Sequence, residues 1–282
     1  MKFFNRINFF LYRQYKKINR RKKINDHWRK RIQLVLEAPD NRKIKRVKDA
    51  GQIIGGYQIM HNGLRILRGS YYGNPMAVML KKNKGVHEPQ EEFVFQEIIS
   101  LLPKAPVMLE LGSYWAHYSL WLKKVRPDAT IYLVEPDLMN LRMGIDNCLA
   151  NNFSGIFIHS AIGDRSELTS ADKICFCVDD LMKIYGIEFI DILHADIQGN
   201  ELLMLEGTMV SFENRLIGYV FLSTHSDELH QQCQDFLKRY DFTILCEADL
   251  DASYSYDGLI VAKSNSYAGL NEVNICKRKL IN

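Results

Sequence analysis

From residue 107 onward the sequence alternates short, nearly continuous apolar segments with longer segments of helical pattern, and this alternation limits the fold more than any other feature. Strands buried on both faces read as unbroken apolar runs, and helices between them indicate parallel neighbours. We therefore predict an α/β fold with a doubly wound, mostly parallel seven-stranded sheet. The predicted strands cover residues 107–111, 130–136, 155–163, 189–197, 216–225, 242–248 and 258–264.

The last two of these strands are joined by the short segment "DLDASYSYD". A parallel connection needs a crossover of a dozen or more residues, usually through a helix. The final strand is therefore predicted to run antiparallel to its neighbour.

The chain before residue 107 has a different pattern. Short β-branched or alternating pieces at 52–60, 64–69 and 76–82 are separated by glycine-containing turns and predict small strands. Residues 88–103 predict a helix with Phe93, Ile98 and Leu101 on its inner face. The predicted organisation is a basic amphipathic N-terminal extension, a small β-rich segment, the main α/β domain and a C-terminal tail, at residues 1–50, 51–87, 88–265 and 266–282.

The charge of the chain is unevenly distributed. Residues 1–50 contain 17 Lys and Arg against 4 Asp and Glu, a net charge of +13, whereas residues 51–282 carry 20 against 29, a net charge of −9. At the N-terminus, Phe3, Ile7, Phe10, Leu11 and Tyr15 recur at helical spacing among basic residues. Such a helix suits peripheral contact with an anionic membrane, and equally packing on its own domain or on a second subunit. Nucleic-acid binding is unlikely, since the rest of the chain is acidic and no recognised motif accompanies the charge.

Length and composition indicate a globular chain. It has 282 residues, 47% of them hydrophobic, with no apolar run of membrane-spanning length and no apolar secretion segment. We therefore expect a cytoplasmic protein, with peripheral attachment at the inner membrane face as an option. Its six scattered cysteines are expected to be reduced thiols.

Acidic residues follow four of the predicted parallel strands. They are Glu110, Glu135, Asp164 and Asp196. Doubly wound sheets bind ligands beyond the carboxyl ends of their strands, and a carboxylate after the second strand can accept hydrogen bonds from both hydroxyls of a ribose. Glu135 is therefore the predicted ribose ligand.

The turn after the first strand decides which nucleotide can bind. A dinucleotide requires the pattern G-x-G-x-x-G, but the corresponding positions here are Gly112, Tyr114 and His117. Large side chains at the second and third positions disfavour a pyrophosphate. They are compatible with S-adenosylmethionine, which has an adenosine and an amino-acid tail but no phosphate.

Over roughly residues 85–262 the sequence resembles the Rossmann-like S-adenosylmethionine-dependent methyltransferases of the FkbM type. The resemblance is carried by "GVHEPQEEFVF", "LELGSYWAHYS", "YLVEP", "AIGD", "VDDLM", "DILHADIQGNELLMLEG" and "DGLIVA". It implies a Rossmann-like fold, a terminal antiparallel strand and methylation of a sugar hydroxyl in a polysaccharide, glycolipid or glycosylated metabolite.

The resemblance also implies roles for individual residues. Glu110, Gly112 and Ser113 would shape the methionine pocket, Glu135 would bind the ribose, and Ile162 and Asp164 would flank the adenine. The sequence departs from the family pattern in two places. Ser113-Tyr114 and Ala116 replace Ala-Asn and a second glycine, and Ile197-Gln198-Gly199 replaces Val-Glu-Gly, which removes a carboxylate.

Methylation of an alcohol needs a base or a metal, because the hydroxyl stays protonated at neutral pH. Asp196 is the first candidate, as a base or as a ligand for Mg²⁺. His225 is a second candidate base, although it also precedes a natural helix cap. Glu201 is a third candidate, but a role as an acidic residue at the start of a helix ranks ahead of catalysis.

Other polar and aromatic residues have structural interpretations. His194 is expected to be a hydrogen-bonded core histidine, His117 to lie on a helix flank, and Trp121 to pack in the core. Trp115 fits either the cofactor border or the core. Asp179 and Asp180 resemble acids at a helix start.

The sequence favours an S-adenosylmethionine-dependent O-methyltransferase. A noncatalytic binding or scaffold module of the same fold stays open, because the glycine turn and the Val-Glu-Gly segment are altered. A nicotinamide-dependent nucleotide-sugar enzyme is disfavoured by the missing glycines.

Overall fold

The structure, a computed structural model, describes residues 26–168 and 174–278. Its strands, in chain order, are β1 (Ile53–Ile54), β2 (Tyr57–Ile59), β3 (Arg65–Leu67), β4 (Val107–Leu111), β5 (Thr130–Glu135), β6 (Ile156–His159), β7 (Ala161–Ile162), β8 (Glu167–Leu168), β9 (Ile174–Phe176), β10 (Ile190–Ala195), β11 (Ile217–Thr224), β12 (Phe242–Ala248) and β13 (Gly258–Ser264). Its helices are α1 (residues 26–37), α2 (Gly73–Lys82), α3 (Pro89–Ile99), α4 (His117–Val125), α5 (Leu138–Ala150), α6 (Val178–Tyr185), α7 (Glu201–Glu206), α8 (Met209–Glu213) and α9 (Asp227–Arg239).

The central sheet has seven strands in the order β12-β13-β11-β10-β4-β5-β6. The strands from β11 to β6 pair in parallel, whereas β13 pairs antiparallel with both β11 and β12. The predicted α/β class, the seven mostly parallel strands and the antiparallel terminal strand are confirmed.

The strand predicted over residues 155–163 is interrupted. β6 ends at His159, where the hydroxyl of Ser160 donates to the carbonyls of Ala161 and Ile174 at 2.7 and 3.1 Å. The chain then leaves the central sheet, and β7 joins a second sheet of order β7-β9-β8. The prediction of one continuous strand was wrong, because an apolar run does not reveal where a strand changes sheets.

Two apolar cores form on opposite faces of the central sheet. Alternate strand residues belong to different cores, as the two-residue period of a strand requires. Met108, Leu133 and Phe221 pack towards α3 and α4. Leu109 and Val134 pack on the other face, towards α6 and α9. Burying each of these large side chains contributes about 1.5–3 kcal/mol, so the sheet provides a rigid base for the loops at its edge.

The segment before the central sheet is only partly β. The piece predicted at residues 52–60 contains two strands, β1 and β2, and the piece at 64–69 contains β3; together they form an antiparallel sheet of order β1-β2-β3. The prediction of a strand at residues 76–82 was wrong, because this stretch belongs to α2. Its buried residues Met76, Ala77, Met79 and Leu80 have helical spacing and face the core.

Helix α3 is present where it was predicted, but its inner face is different. Ile98 is buried, Phe93 is partly buried, and Leu101 is 54% exposed beyond the end of the helix. The carboxylates Glu91 and Glu92 occupy the buried face instead. The prediction for Leu101 was wrong because α3 ends at Ile99, so Leu101 does not continue its buried face.

The amphipathic helix predicted from Phe3 to Tyr15 lies outside the described residues, so the membrane and packing interpretations both stay predictions. The four domain boundaries also stay predictions. Among residues 26–168 and 174–278, no helix combines the length and the apolar character needed to cross a membrane.

Candidate active site

A cavity of about 460 Å³ lies at the carboxyl ends of β4, β5 and β10. Its volume falls in the range of ordinary ligand sites, roughly 300–1,000 Å³. Four carboxylates line it: Glu88, Glu110, Glu135 and Asp196. In the described part of the chain, no lysine or arginine contributes to the lining. His87 also lines the cavity; burial would lower its pKa, but Glu88 and Glu92 raise it to about 10. With four carboxylates against this imidazolium, the cavity favours a ligand with positive charge.

The turn between β4 and α4 forms one wall of the cavity. Gly112, Tyr114 and Ala116 have φ values of +72°, +36° and +65°, a region that glycine adopts far more readily than other residues. The backbone N–H groups of Gly112 and Ser113 donate to the carbonyl of Val134 at 2.9 and 3.0 Å, which ties the turn to β5. The left-handed turn is thus retained although two of its residues are not glycine.

Gly112 has a steric reason to be glycine. A Cβ atom at this position would lie 1.9 Å from the carbonyl oxygen of Asp196. The same contact explains the close approach of the two strand exits, where the N–H of Asp196 donates to the carbonyl of Leu111 at 3.1 Å. Gly112 therefore allows the β4 turn and Asp196 to share one edge of the cavity.

We expect Gly112→Ala to lower the free energy of unfolding by about 3 kcal/mol or more, since backbone strain and a clash with a backbone atom combine. Gly186→Ala is the matched control. Gly186 also has a left-handed backbone, with φ +64°, but a Cβ there would meet no atom within 4 Å. The control should cost only about 1 kcal/mol. Urea denaturation of both variants measures the difference, and equal losses would contradict the steric interpretation.

Glu135 and Glu110 lie at the exits of β5 and β4. The carboxylate of Glu135 accepts hydrogen bonds from the backbone N–H groups of Tyr114 and Asp137 at 3.2 and 2.9 Å. The carboxylate of Glu110 accepts from the N–H of Ser119 at 3.0 Å. Burial raises the pKa of both carboxyls. Each carboxylate retains lone pairs that can accept further hydrogen bonds from a ligand.

Four aromatic rings, two of them from the turn between β4 and α4, form an aromatic wall of the cavity. Tyr71 stacks on Trp115 with ring centroids 4.4 Å apart and an interplanar angle of 4°. Tyr72 and Tyr114 approach edge to face at 5.5 Å. All four line the cavity, so Trp115 borders the cavity as well as packing. Aromatic faces attract cations, which agrees with the excess of carboxylates.

Two buried polar atoms in the lining have no partner. They are the hydroxyl oxygen of Ser113 and Nδ1 of His194. Nε2 of His194 lies 2.6 Å from a carboxylate oxygen of Glu91, and the imidazole packs against Tyr118. The prediction of a fully hydrogen-bonded core histidine was therefore wrong for one ring nitrogen. A bound ligand can satisfy both free atoms.

His225 follows β11 and lies among three carboxylates. Its Nδ1 donates to Glu201 at 3.0 Å, and its Nε2 lies 3.3 Å from Asp196 and 3.4 Å from Asp257. Burial alone would lower the pKa of His225, but its contacts with Asp196 and Glu201 raise it to about 10. His225 is thus an imidazolium at neutral pH, which suits it to position carboxylates and makes it a poor base.

Asp257 is the member of this group that the sequence did not predict. Burial, followed by the nearby charges of Asp196 and Glu88, raises the pKa of Asp257 to about 7. A carboxylate with a pKa near neutrality is well suited to accept a proton at physiological pH. The only sequence signal for Asp257 was its position in the segment "DGLIVA". It lies beside Asp196 because of the hairpin, which is a feature of the tertiary structure.

Glu201 has a larger structural role than a helix-start acid. It is fully buried at the first position of α7. One carboxylate oxygen accepts from the N–H groups of Ile197 and Gly199, both at 3.2 Å, as well as from His225. Glu201 therefore holds the loop after β10 and fixes the orientation of His225. It does not line the cavity.

The structure separates the two residues predicted to flank an adenine. Ile162 is buried in the lining, whereas Asp164 is exposed and lies outside it. The role predicted for Asp164 stays a prediction, because the chain turns away from the cavity after β7 and leaves this side chain outside the lining. The side chains of Ser160 and Ala161 occupy this part of the lining instead.

The remaining structural predictions have mixed outcomes. Trp121 packs in the core, and Asp179 and Asp180 lie in the first turn of α6, as predicted. His117 is the first residue of α4 but is completely buried, so its prediction as a helix-flank residue was wrong. Its ring stacks on that of Trp115 at 4.9 Å.

The surroundings of Asp196 do not fit a magnesium ion well. Its Oδ1 accepts from the side-chain amide of Gln198 at 3.2 Å and faces the imidazolium of His225. These neighbours are hydrogen-bond donors, whereas Mg²⁺ requires a surrounding of oxygen ligands. Magnesium binding by Asp196 therefore has no support from this geometry.

Comparisons with known proteins find similarities of fold only. No family model matches the chain, and no curated protein matches its sequence. Among solved structures, TrmK of M. capricolum in complex with S-adenosylhomocysteine aligns with a TM-score of 0.42 at 13% identity, covering 63% of this chain and 70% of that chain.

A putative rRNA methylase from Clostridium thermocellum aligns with a TM-score of 0.47 at 9% identity, covering 64% of this chain and 97% of that chain. The bifunctional kinase-methyltransferase WbdD aligns with a TM-score of 0.42 at 14% identity, covering 62% of this chain and 38% of that chain. Likeness of this degree carries no conclusion about ligand or reaction. Membership of the FkbM-type group stays a prediction.

Proposed function

We propose that this protein is an S-adenosylmethionine-dependent O-methyltransferase that acts on a sugar hydroxyl. The observation that carries the proposal is the lining of the cavity at the carboxyl edge of the sheet. It combines four carboxylates with a wall of aromatic rings and has no lysine or arginine among the described residues. S-adenosylmethionine has a sulfonium, an ammonium and a ribose but no phosphate, and this lining suits it.

The residues present fit this cofactor. Glu135 would accept hydrogen bonds from ribose hydroxyls, Glu110 and the turn at Gly112 and Ser113 line the same cavity, and Ile162 would offer an apolar surface for a base. The unpaired hydroxyl of Ser113 gives a further polar contact. When bound, S-adenosylmethionine supplies a methyl group activated by its sulfonium.

The acidic lining also weighs against the nicotinamide alternative. A dinucleotide brings two phosphate charges, and Glu110 and Glu135 flank the turn that would receive them. The noncatalytic module stays the second candidate, because the non-glycine residues Tyr114 and Ala116 strain the turn. Such a module would bind its ligand in the same cavity but would catalyse no reaction.

The group around His225 gives the chain a means to handle the acceptor proton. We infer that the hydroxyl proton passes to the pair of carboxylates formed by Asp196 and Asp257, while the imidazolium of His225 holds the pair in position. Asp196 lines the cavity, and Asp257 has a pKa of about 7. Glu201 acts through His225 as a positioning residue.

A sugar acceptor is supported by the aromatic side chains around Arg31, a residue whose charge interacts with that of Asp257. The guanidinium of Arg31 lies 5.5 Å from the ring centroids of Trp28 and Tyr256, and 5.9 Å from that of Tyr72. Aromatic faces and charged hydrogen-bonding groups together suit a sugar ring with its hydroxyls. The acceptor class proposed is a glycan, a glycolipid or a glycosylated metabolite.

The proposed place of action is the cytoplasm, with attachment at the inner membrane face through the basic helix predicted before residue 26. That helix lies outside the described residues, so only its sequence pattern supports the attachment. A lipid-linked glycan would be a suitable acceptor for such a protein.

Calorimetric titration tests the cofactor. The wild-type protein is expected to bind S-adenosylmethionine and S-adenosylhomocysteine saturably, and NAD not at all. Glu135→Gln should raise the Kd for both by about 10-fold to 100-fold, because it removes a charged hydrogen-bond acceptor worth about 1.5–3 kcal/mol. Asp128→Asn is the control and should leave the Kd unchanged, since Asp128 is exposed and outside the cavity.

The other outcomes are equally informative. A folded wild-type protein that binds neither compound would overturn the proposal and favour the noncatalytic module. Binding of NAD with an affinity that depends on the phosphates of NAD would favour the nicotinamide-dependent enzyme. Equal effects of the two substitutions would contradict the assignment of Glu135.

A further inference from the structure

Three buried side chains from three separate elements meet behind the aromatic wall. They are His61 from the turn between β2 and β3, Glu92 from α3, and His117 from the start of α4. One ligand atom of each lies within 4.8 Å of the other two. In residues 26–168 and 174–278, this is the only such group of three or more His, Cys, Asp or Glu side chains. All three are almost completely shielded from solvent.

The atoms that face one another in this group lack hydrogen bonds. Both ring nitrogens of His117 are buried without a partner. Nε2 of His61 lies only 3.1 Å from Oε2 of Glu92, yet neither atom makes a hydrogen bond. Short distance without hydrogen-bond geometry is expected when lone pairs point towards a third atom. Leaving such atoms unpaired in the interior would be costly.

The other polar atoms of His61 and Glu92, in contrast, have partners. Nδ1 of His61 is 3.2 Å from the carbonyl of Lys45, which favours the tautomer with a free lone pair on Nε2. Oε1 of Glu92 accepts from Nδ1 and the backbone N–H of His87 at 2.5 and 2.8 Å. Such outer contacts orient the ligands in protein metal sites.

We propose that His61, Glu92 and His117 bind a divalent transition-metal ion of the zinc type. Two imidazole nitrogens and a carboxylate oxygen form a ligand set that zinc accepts readily. Nε2 of His61 is 3.1 Å from Oε2 of Glu92, and Nε2 of His117 is 3.8 Å from Oε1 of the same carboxylate. Both separations are close to the roughly 3.4 Å between the ligand atoms of a tetrahedral zinc ion.

The site would have a structural role. It joins the β1-β2-β3 segment to α3 and α4, and His117 comes directly after the turn that forms the cavity wall. A second cavity of about 360 Å³ reaches His61 from another side and gives the ion a route of entry. Bound metal would therefore hold α4 and its preceding turn in place, whatever ligand the main cavity takes.

Metal analysis tests the proposal. Protein purified without chelators from zinc-supplemented cultures is expected to contain about one zinc per chain by mass spectrometry. His117→Phe keeps a planar ring but removes the nitrogens, so its zinc content should fall to the level of the buffer. His159→Phe, at an exposed position in β6, is the matched control and should retain the metal. His225→Gln should retain it too.

A second measurement does not depend on the folding of the variants. After treatment with a chelator and removal of the chelator, the wild-type protein should gain thermal stability when ZnCl₂ is added, and not when MgCl₂ is added. Equal zinc content in wild type and His117→Phe would show an adventitious surface site and overturn the proposal. Loss of zinc in His225→Gln alone, or no zinc and no thermal shift in the wild type, would overturn it as well.

Discussion

Asp196→Asn is expected to lower kcat for methylation of a sugar acceptor by about 10²-fold to 10⁴-fold, the usual contribution of a positioned base. The substitution keeps the size of the side chain but removes the carboxylate that lines the cavity and faces His225 at 3.3 Å. Release of S-adenosylhomocysteine with a panel of sugar acceptors measures kcat. The Kd for S-adenosylhomocysteine should stay close to the wild-type value, because the loss concerns the reaction step.

The pH profile gives this prediction a second readout. The pKa of Asp257 is about 7, raised by burial and then by the charges of Asp196 and Glu88. The carboxylate is the active form, so wild-type turnover should rise as the pH increases through about 7. Asp196→Asn removes one charge that raises this pKa. The midpoint of its residual activity should therefore move to lower pH.

The control for this experiment is Asp128→Asn. Asp128 is exposed and pairs only with the exposed Lys104 at 3.3 Å, so its loss should not change kcat. If Asp196→Asn had the same kcat as the wild type, the assignment of Asp196 to the base would be contradicted. An equal fall in both variants would show a general effect of lost charge.

Glu92→Gln is expected to lower the free energy of unfolding by about 3–5 kcal/mol, as when one partner of a buried charged group is removed. Glu92 is fully buried, and its carboxylate contacts His61 and His87 and accepts two backbone N–H groups near the start of α3. A neutral amide cannot replace the charge, and its NH₂ group cannot accept these hydrogen bonds. The imidazoles of His61 and His87 would then stay in the interior without the carboxylate that they contact.

Urea denaturation in the presence of a chelator measures this effect without any contribution from bound metal. Glu97→Gln on the same helix is the matched control, because Glu97 is exposed and should change stability by less than about 0.5 kcal/mol. A loss below about 1 kcal/mol for Glu92→Gln would show that the buried carboxylate is dispensable.

The sequence indicated the importance of Asp196 but not that of Glu92. Asp196 was found because it follows a buried parallel strand, and such strand exits gather at one edge of a sheet. Glu110 and Glu135 were found in the same way, and all three line one cavity. Glu92 gave no such signal. A helix pattern with apolar neighbours predicts a solvent-facing carboxylate, and two of the histidines around it, His61 and His117, come from other segments of the chain.

The sequence by itself determined the chain order of the seven strands of the central sheet, the antiparallel last strand and the strand exits that carry acids. These features follow from local periodicity and from the length of connections, both of which are properties of contiguous residues. The cavity turn was also visible, because Gly112 follows a buried strand.

Only the tertiary structure decided which side chains meet. Asp257 lies beside Asp196 because β13 inserts between β11 and β12, and its pKa follows from burial and from charges that are far away in the chain. Asp164, although it matches the same family motif as Ile162, turns to solvent. The His61, Glu92 and His117 group needs three packed elements to form. Contacts and burial of this kind depend on distances between separate segments, which local sequence patterns do not encode.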